Sequence, residues 1–160
     1  MSMRFRAVHL PQGVRGRLWL SSMPGRWEPW QEFVDQAGRV ELGLIVCLTE
    51  AEEIEAASPR YRAAIDEGEL PGRWMHVPVR NFGVPDDAVD FRAVVESVAQ
   101  ALAAGESVLL HCAAGQGRTG TTAACVLKRL GLPAAEALRR VRDAGSNPQG
   151  ALQSGLVDWF

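Results

Sequence analysis

A chain of 160 residues, 47% hydrophobic and 22% charged, holds enough apolar material for one ordinary core, which excludes global disorder. Its formal net charge of -2 gives no electrostatic reason to expect nucleic acid or an anionic membrane as a partner. Three scattered cysteines (Cys47, Cys112, Cys125) exclude a disulfide scaffold, and neither a signal-type apolar opening nor a membrane-length run is present. A reducing, cytoplasmic setting is the expectation, and there a thiol stays available for chemistry.

Taken in chain order, residues 17–20 read as a strand, ended by a Ser-Ser-Met-Pro-Gly turn at 21–25. The arginines around it (Arg4, Arg6, Arg15, Arg17) alternate with apolar residues, as on solvated strand faces. Trp30, Phe33, Val34 and Ala37 fall at helical spacing, with Gly38 as the expected cap. Residues 42–48 form a continuous apolar run, the pattern of a strand buried on both faces. Thr49 with Glu52 suggests a capping-box start to a short acidic helix.

Residues 74–79 form the next strand candidate, closed by Pro78 and a loop over 80–85. Asp86 and Asp87 open a long helix with Phe91, Val94, Val95, Val98 and Leu102 on one face and Gly105 at its end. Residues 107–111 are a short strand, 112–117 a small-residue loop, and a second apolar helix runs from Arg118 or Thr119 to Leu130. An Arg-rich helix ends near Gly145, and Pro148 precedes a last short helix bearing Leu152, Leu156 and Trp159. Alternating strands and helices imply a single-domain α/β sandwich over residues 1–160, with a mainly parallel sheet.

The stretch His111-Cys112-Ala113-Ala114-Gly115-Gln116-Gly117-Arg118-Thr119-Gly120 joins a strand to a helix. A tight loop entering a helix turns successive N–H groups inward and adds the unpaired donors of the helix terminus, a nest for a phosphate dianion. Ala113, Ala114, Gly115 and Gly117 let the backbone approach closely, and Gln116 completes the curve. Arg118, six positions after Cys112, can return to grip two phosphate oxygens. A helix N-terminus and a nearby cation favour a thiolate, so Cys112 is expected to attack phosphorus, and Thr119 to offer its hydroxyl to the departing sulfur. His111 is expected to orient the loop through hydrogen bonds.

This string resembles the signature of the protein tyrosine phosphatase superfamily, His-Cys, five residues, Arg-Ser/Thr-Gly. The chain is most similar to its small dual-specificity members, particularly the cyclin-dependent-kinase-associated phosphatase group. Residues 18–25, 45–50, 77–79 with 82–85, and 151–153 are similar to the family's opening strand, second core strand, general-acid loop and C-terminal glutamine segment. The resemblance implies a phosphotyrosine phosphatase-like fold and a cysteinyl-phosphate intermediate formed without a metal or other cofactor. It also implies that Gln153 positions the hydrolytic water, the other reading being an ordinary polar residue on a terminal helix.

One position departs from the pattern. Asn81 stands where the family places the aspartate that protonates the leaving oxygen, and an amide cannot do so. Asp86 and Asp87 are the nearest replacements, with helix capping as the alternative role. The second functional reading is a phosphate-binding pseudophosphatase, or a weak phosphatase with no general acid.

Other chemistries fit less well. In Gly115-Gln116-Gly117-Arg118-Thr119-Gly120-Thr121-Thr122, Thr121 takes the lysine position of a nucleotide-binding loop. A sulfurtransferase reading leaves the arginine unexplained. His9, His76 and His111 have no metal-ligand spacing. Cys47, in a core strand, is expected to be structural, with a redox partnership to Cys112 as the alternative. The loop lacks lysines for polyphosphoinositides, and Tyr61 is the only tyrosine, so a tyrosine-bearing recognition loop is unmatched. Phosphotyrosine, or phosphoserine and phosphothreonine in peptides, is the expected substrate, and a monomer the expected state.

Overall fold

The computed structural model describes residues 5–160. Five strands, β1 (Arg6–Val8), β2 (Arg17–Ser21), β3 (Leu42–Cys47), β4 (Arg73–His76) and β5 (Ser107–His111), form one sheet in the order β1-β2-β5-β3-β4. The pairs β2–β5, β5–β3 and β3–β4 are parallel, and only β1 runs antiparallel. Helices α1 (Trp30–Arg39), α2 (Ala51–Ala57) and α3 (Pro59–Glu67) lie on one face. The other face carries α4 (Ala88–Ala103), α5 (Gly117–Arg129), α6 (Ala134–Asp143) and α7 (Ala151–Trp159). The expected α/β sandwich is the one observed.

Period-two alternation explains the unbroken apolar run at 42–48. Leu44, Val46 and Leu48 enter the α4–α7 core, whereas Ile45 and Cys47 face the α1–α3 side. Central β5 does the same with Val108 and Leu110 against Leu109. Each such side chain, fully withdrawn from water, contributes about 1.5–3 kcal/mol. Because four strands are parallel, their carboxyl ends share one edge, where Ser21, His111 and Cys47 lie side by side. Ligands of open α/β sheets bind beyond that edge.

Several local expectations are corrected. Helix α1 passes through Gly38 to Arg39, and the left-handed residue beyond it is Glu41, at φ 53°. Glu50, not Thr49, caps α2, its N–H donating to the Glu53 carboxylate at 2.9 Å. Helix α3 has weak amphipathic periodicity, but it begins at Pro59 and stops at left-handed Gly68, the punctuation expected of a helix. Strand β4 ends at His76, although Val77 and Val79 continue to donate to Cys47 and Leu48 carbonyls across Pro78. Arg4 lies outside the described residues. Arg15 and Arg17 are exposed as expected, but Arg6 turns inward, with consequences for the site. Among the described residues, no helix is long and apolar enough to cross a membrane.

Candidate active site

Chain leaving β5 turns at once into residues 112–116 and enters α5 at Gly117. The turn closes on itself. The Gly115 N–H donates to Cys112 Sγ at 3.2 Å, and Cys112 is buried at 2% exposure. Gly115 has φ +75°, and a Cβ there would stand 2.6 Å from the Ser21 backbone, so glycine is required twice over. At Gly120 a Cβ would meet the Asn147 backbone at 2.7 Å, which lets α5 pack against the segment leading to α7.

The outward-facing carbonyl of Gly115 is held from below. It accepts from Arg6 Nη2 at 2.6 Å and from Ser146 Oγ at 2.6 Å. Arg6 Nη1 also donates to Ser146 Oγ at 2.9 Å and to the Ala144 carbonyl at 2.6 Å. Pinning the carbonyl outward fixes the plane of the 115–116 peptide, next to the one whose N–H reaches the sulfur. Burial lowers the Arg6 guanidinium from its ordinary range, and the Cys112 charge opposes that shift. The Met23 N–H donates to the Ala113 carbonyl at 3.2 Å and ties the turn after β2 to the same loop.

Arg118 is 3% exposed and already aligned. Its Nη1 and Nη2 grip Glu53 at 2.8 and 3.0 Å, and Nη1 also donates to the Val79 carbonyl at 2.9 Å. Burial works against the guanidinium, but the Glu53 carboxylate and Cys112 outweigh it and keep Arg118 above its ordinary value. Glu53 is likewise opposed by burial, yet Arg118 and the Glu50 N–H hold it below the usual carboxylate range. A bidentate pair of this kind orders a side chain before any ligand arrives.

Behind the loop, hydrogen-bond roles are set by elimination. The Cys112 carbonyl can only accept, so the neutral His111 ring donates to it from Nδ1 at 3.1 Å, and the bare Nε2 accepts the Tyr61 proton at 2.7 Å. Trp74 Nε1 donates to the Tyr61 oxygen at 2.9 Å. This neutral tautomer agrees with burial, which pushes His111 down to about 4 against the opposing hydrogen bond to Cys112. The expected loop-orienting role of His111 thus has a specific geometry. Thr119 Oγ1 is buried and makes no hydrogen bond among the described residues.

A cleft of about 340 Å³ opens over the loop, lined in part by Arg26, Glu53, Asn81, Phe82, Cys112 and Gln149. Ala113, Ala114, Gln116, Gly117 and Arg118 complete the lining, so the loop residues singled out from sequence are brought together. Asp86 and Asp87 are not among its walls. They border a separate recess with Val77, Pro78, Pro85 and Asp90, and Asp87 Oδ1 accepts the Asp90 N–H at 3.0 Å as the α4 cap. Gln153 is 1% exposed and turned to structural partners. Its Nε2 donates to the Gly83 carbonyl at 3.0 Å, and its Oε1 accepts from the Gln149 N–H at 2.7 Å and Thr121 Oγ1 at 3.3 Å. The glutamine lining the cleft is Gln149. Cys47 is buried against Thr49 Oγ1 at 3.3 Å, and burial pushes its thiol up; burial takes Cys125 to about 12.

Sequence reasoning missed Arg6, Ser146, Glu53, Arg26 and Gln149. Glu53 carried the only signal, an acidic residue in a short helix following the carboxyl end of β3.

Solved structures share this fold. The solved kinase associated phosphatase (KAP), in a form with serine replacing its catalytic-site cysteine, matches with a TM-score of 0.81 at 19% identity, covering 98% of this chain and 93% of that one. Tk-PTP in its active form gives a TM-score of 0.71 at 22% identity over 96% and 95%. The human tyrosine phosphatase-like serine/threonine/tyrosine-interacting protein gives 0.69 at 17% over 96% and 93%. At these identities the likeness is one of fold. Protein 067L of Invertebrate iridescent virus 3, named as a candidate tyrosine phosphatase, is 32% identical over 62 residues. That match takes 37% of this chain and spans about a quarter, 26%, of the viral protein. The model of the Swiss Army Knife protein phosphatase domain, of DSP-PTPase type, matches residues 14–153. With that match over most of its length, and the loop built as described, the chain belongs to the PTP-SAK family of dual-specificity-type tyrosine phosphatase domains.

Proposed function

We propose that this chain hydrolyses phosphate monoesters on proteins, with Cys112 as nucleophile and Arg118 as the phosphate clamp. The observation that carries the reading is the closed loop, in which the Gly115 N–H reaches Cys112 Sγ beside an Arg118 already aligned by Glu53. In the first step the thiolate forms an S–P bond as the ester P–O bond breaks, and the leaving oxygen takes the electron pair. Water oxygen then attacks the phosphorus of the cysteinyl-phosphate, and sulfur departs as thiolate. The unpaired Thr119 hydroxyl supplies a hydrogen bond to that sulfur. Amides and guanidinium stabilise the equatorial oxygens throughout.

Phosphotyrosine is the favoured substrate, ahead of phosphoserine and phosphothreonine. A phenolate, whose conjugate acid titrates near about 10, leaves without a proton donor far more readily than an alkoxide. Asn81 in the cleft wall and the distance of Asp86 and Asp87 from it point the same way. The same observation favours a second reading, a phosphate-binding domain with little turnover.

Hydrolysis of p-nitrophenyl phosphate separates the two. The enzyme reading expects metal-independent turnover, inhibition by vanadate and loss of product in Cys112→Ser. Phosphate binding without product supports the second reading.

A further inference from the structure

Part of the cleft serves neither the fold nor the cysteine chemistry. Arg26 lies in the turn after β2, its guanidinium carbon 4.3 Å from the centre of the Trp27 ring. Among the described residues that guanidinium makes no hydrogen bond or close ion pair, and its charge reaches Glu53 only through space, helping to hold that carboxylate below its usual range. Its nearest opposite charge in the cleft is Glu53, whose two oxygens are both taken by Arg118. Phe82, on the Asn81 loop, is 61% exposed and holds a left-handed backbone at φ +63°. A phenylalanine in that conformation costs of order 1–3 kcal/mol, and leaving its ring in water recovers none of it.

A bound phosphate dianion would already be met by the loop amides and Arg118. The spare cation therefore suits a second anion outside the phosphate pocket. The exposed ring suits an aromatic group attached to the phosphate, because offset ring pairs are favourable and aliphatic phosphoesters have no such face.

We propose that Arg26 and Phe82 set the specificity of this site, selecting a phosphotyrosyl segment with a carboxylate beside the phosphotyrosine. The selection deepens the phosphatase reading and rests on it for turnover, though not for binding. Phe82 receives the tyrosyl ring, and Arg26, steadied by the Trp27 face, receives the neighbouring glutamate or aspartate.

The test uses three peptides: phosphotyrosine flanked by glutamate, the same peptide with glutamine, and a phosphothreonine version of the first. Binding is measured to the Cys112→Ser chain, and kcat/KM with the unsubstituted chain. The acidic phosphotyrosine peptide should bind about 2- to 5-fold more tightly than its glutamine counterpart at low salt, the margin shrinking as salt is added. Adding Arg26→Gln should erase that margin, and Arg26→Lys should keep part of it. Phe82→Leu or Phe82→Gly should cut the preference for phosphotyrosine over phosphothreonine by about 3- to 10-fold. Glycine accepts the φ without strain, so a folded variant is assured of one form.

Equal affinity for the two phosphotyrosine peptides, or ratios untouched by Arg26→Gln and Phe82→Leu, overturns the proposal. So does a response of Arg26→Gln seen only with a multiply phosphorylated inositol headgroup. If the unsubstituted chain fails on p-nitrophenyl phosphate, the turnover reading fails alone, because the binding ratios still decide the roles of Arg26 and Phe82.

Discussion

Arg6 of edge strand β1 and Gly115 of the phosphate loop are joined by a 2.6 Å hydrogen bond across 109 positions of sequence. The bond does two things at once: it fixes the peptide plane that follows the one whose N–H reaches Cys112, and it sets a half-buried cation beside that sulfur. Arg6→Gln removes the charge and the fork, whereas Arg6→Lys keeps the charge. In Arg6→Gln alkylation by iodoacetamide at about pH 7 should slow, because the sulfur loses a favourable cationic neighbour. kcat/KM should drop about 10- to 100-fold, and the lysine should restore alkylation better than turnover. Ser146→Ala, which removes the second bond to the Gly115 carbonyl without changing charge, should lower turnover and leave alkylation in place. Equal alkylation rates in all three would mean that Arg6 is merely structural.

Glu53 belongs to the site through Arg118. The pair is unequal in exposure, with side chains 2% exposed for Arg118 and 28% for Glu53, so removing the carboxylate strands a buried cation. Glu53→Gln should raise KM for p-nitrophenyl phosphate and lower kcat/KM by about 10- to 100-fold, the usual range for a lost supporting partner. Because Glu53 is held below the ordinary carboxylate range, it stays ionised as pH falls through the region where free carboxylates protonate. The native chain should therefore keep its affinity for sulfate, whose charge does not change in this range, as pH falls from about 5 to about 4. A Glu53→Gln rate within twofold of native would remove Glu53 from the machinery.

Restoring a carboxylate at position 81 tests the leaving-group argument. Asn81→Asp should accelerate alkyl phosphates more than aryl ones, by about 10²- to 10⁴-fold if the new group reaches the leaving oxygen. Asp87→Asn and Asp87→Ala should act on stability instead, with the alanine costing about 1 kcal/mol as α4 loses its cap. A large rate loss in Asp86→Asn or Asp87→Asn, with an unchanged melting curve, would return these carboxylates to the chemistry.

How far the sequence led depends on whether the cue was local. The β5–loop–α5 unit was legible because a run of five buried residues, two loop glycines and the Cys-to-Arg interval all lie within a dozen positions. Strand β3 was legible because burial on both faces leaves an unbroken apolar string. The supports were not. Arg6, Glu53 and Ser146 reach the loop from 109, 65 and 31 positions away, and apart from the acidic helix that holds Glu53 nothing in their neighbours marks the contact. Arg6 alternates with apolar residues as a solvated strand residue would, and only the packing of α6 against β1 turns it inward. Gln153 illustrates the opposite limit. The sequence marks a terminal glutamine segment, but a four-residue step along it decides which glutamine meets the cleft, and Gln149 does.

His111 ties stability to pH. Its native form is neutral and depressed to about 4, while the unfolded ring titrates near about 6.5. Between those values the unfolded chain binds the extra proton, so stability is full above about pH 6.5 and falls as pH drops toward 4. The loss from this ring alone should reach about 2 kcal/mol at pH 5 and roughly 3 kcal/mol below the lower value, an order-of-magnitude figure. Urea unfolding at pH 7.5, 6 and 5 should show the midpoint moving down in that window. Tyr61→Phe should lower the plateau near pH 7.5, because it leaves His111 Nε2 buried without its donor. It should keep a slope of the same sign, since burial of the ring remains the larger cause of the shift. His111→Gln, which cannot titrate, should flatten the profile between pH 5 and 6.5. A native midpoint that stays level from pH 7.5 to 5 would mean that the folded and unfolded chains take up the His111 proton alike, and that burial does not hold the ring neutral.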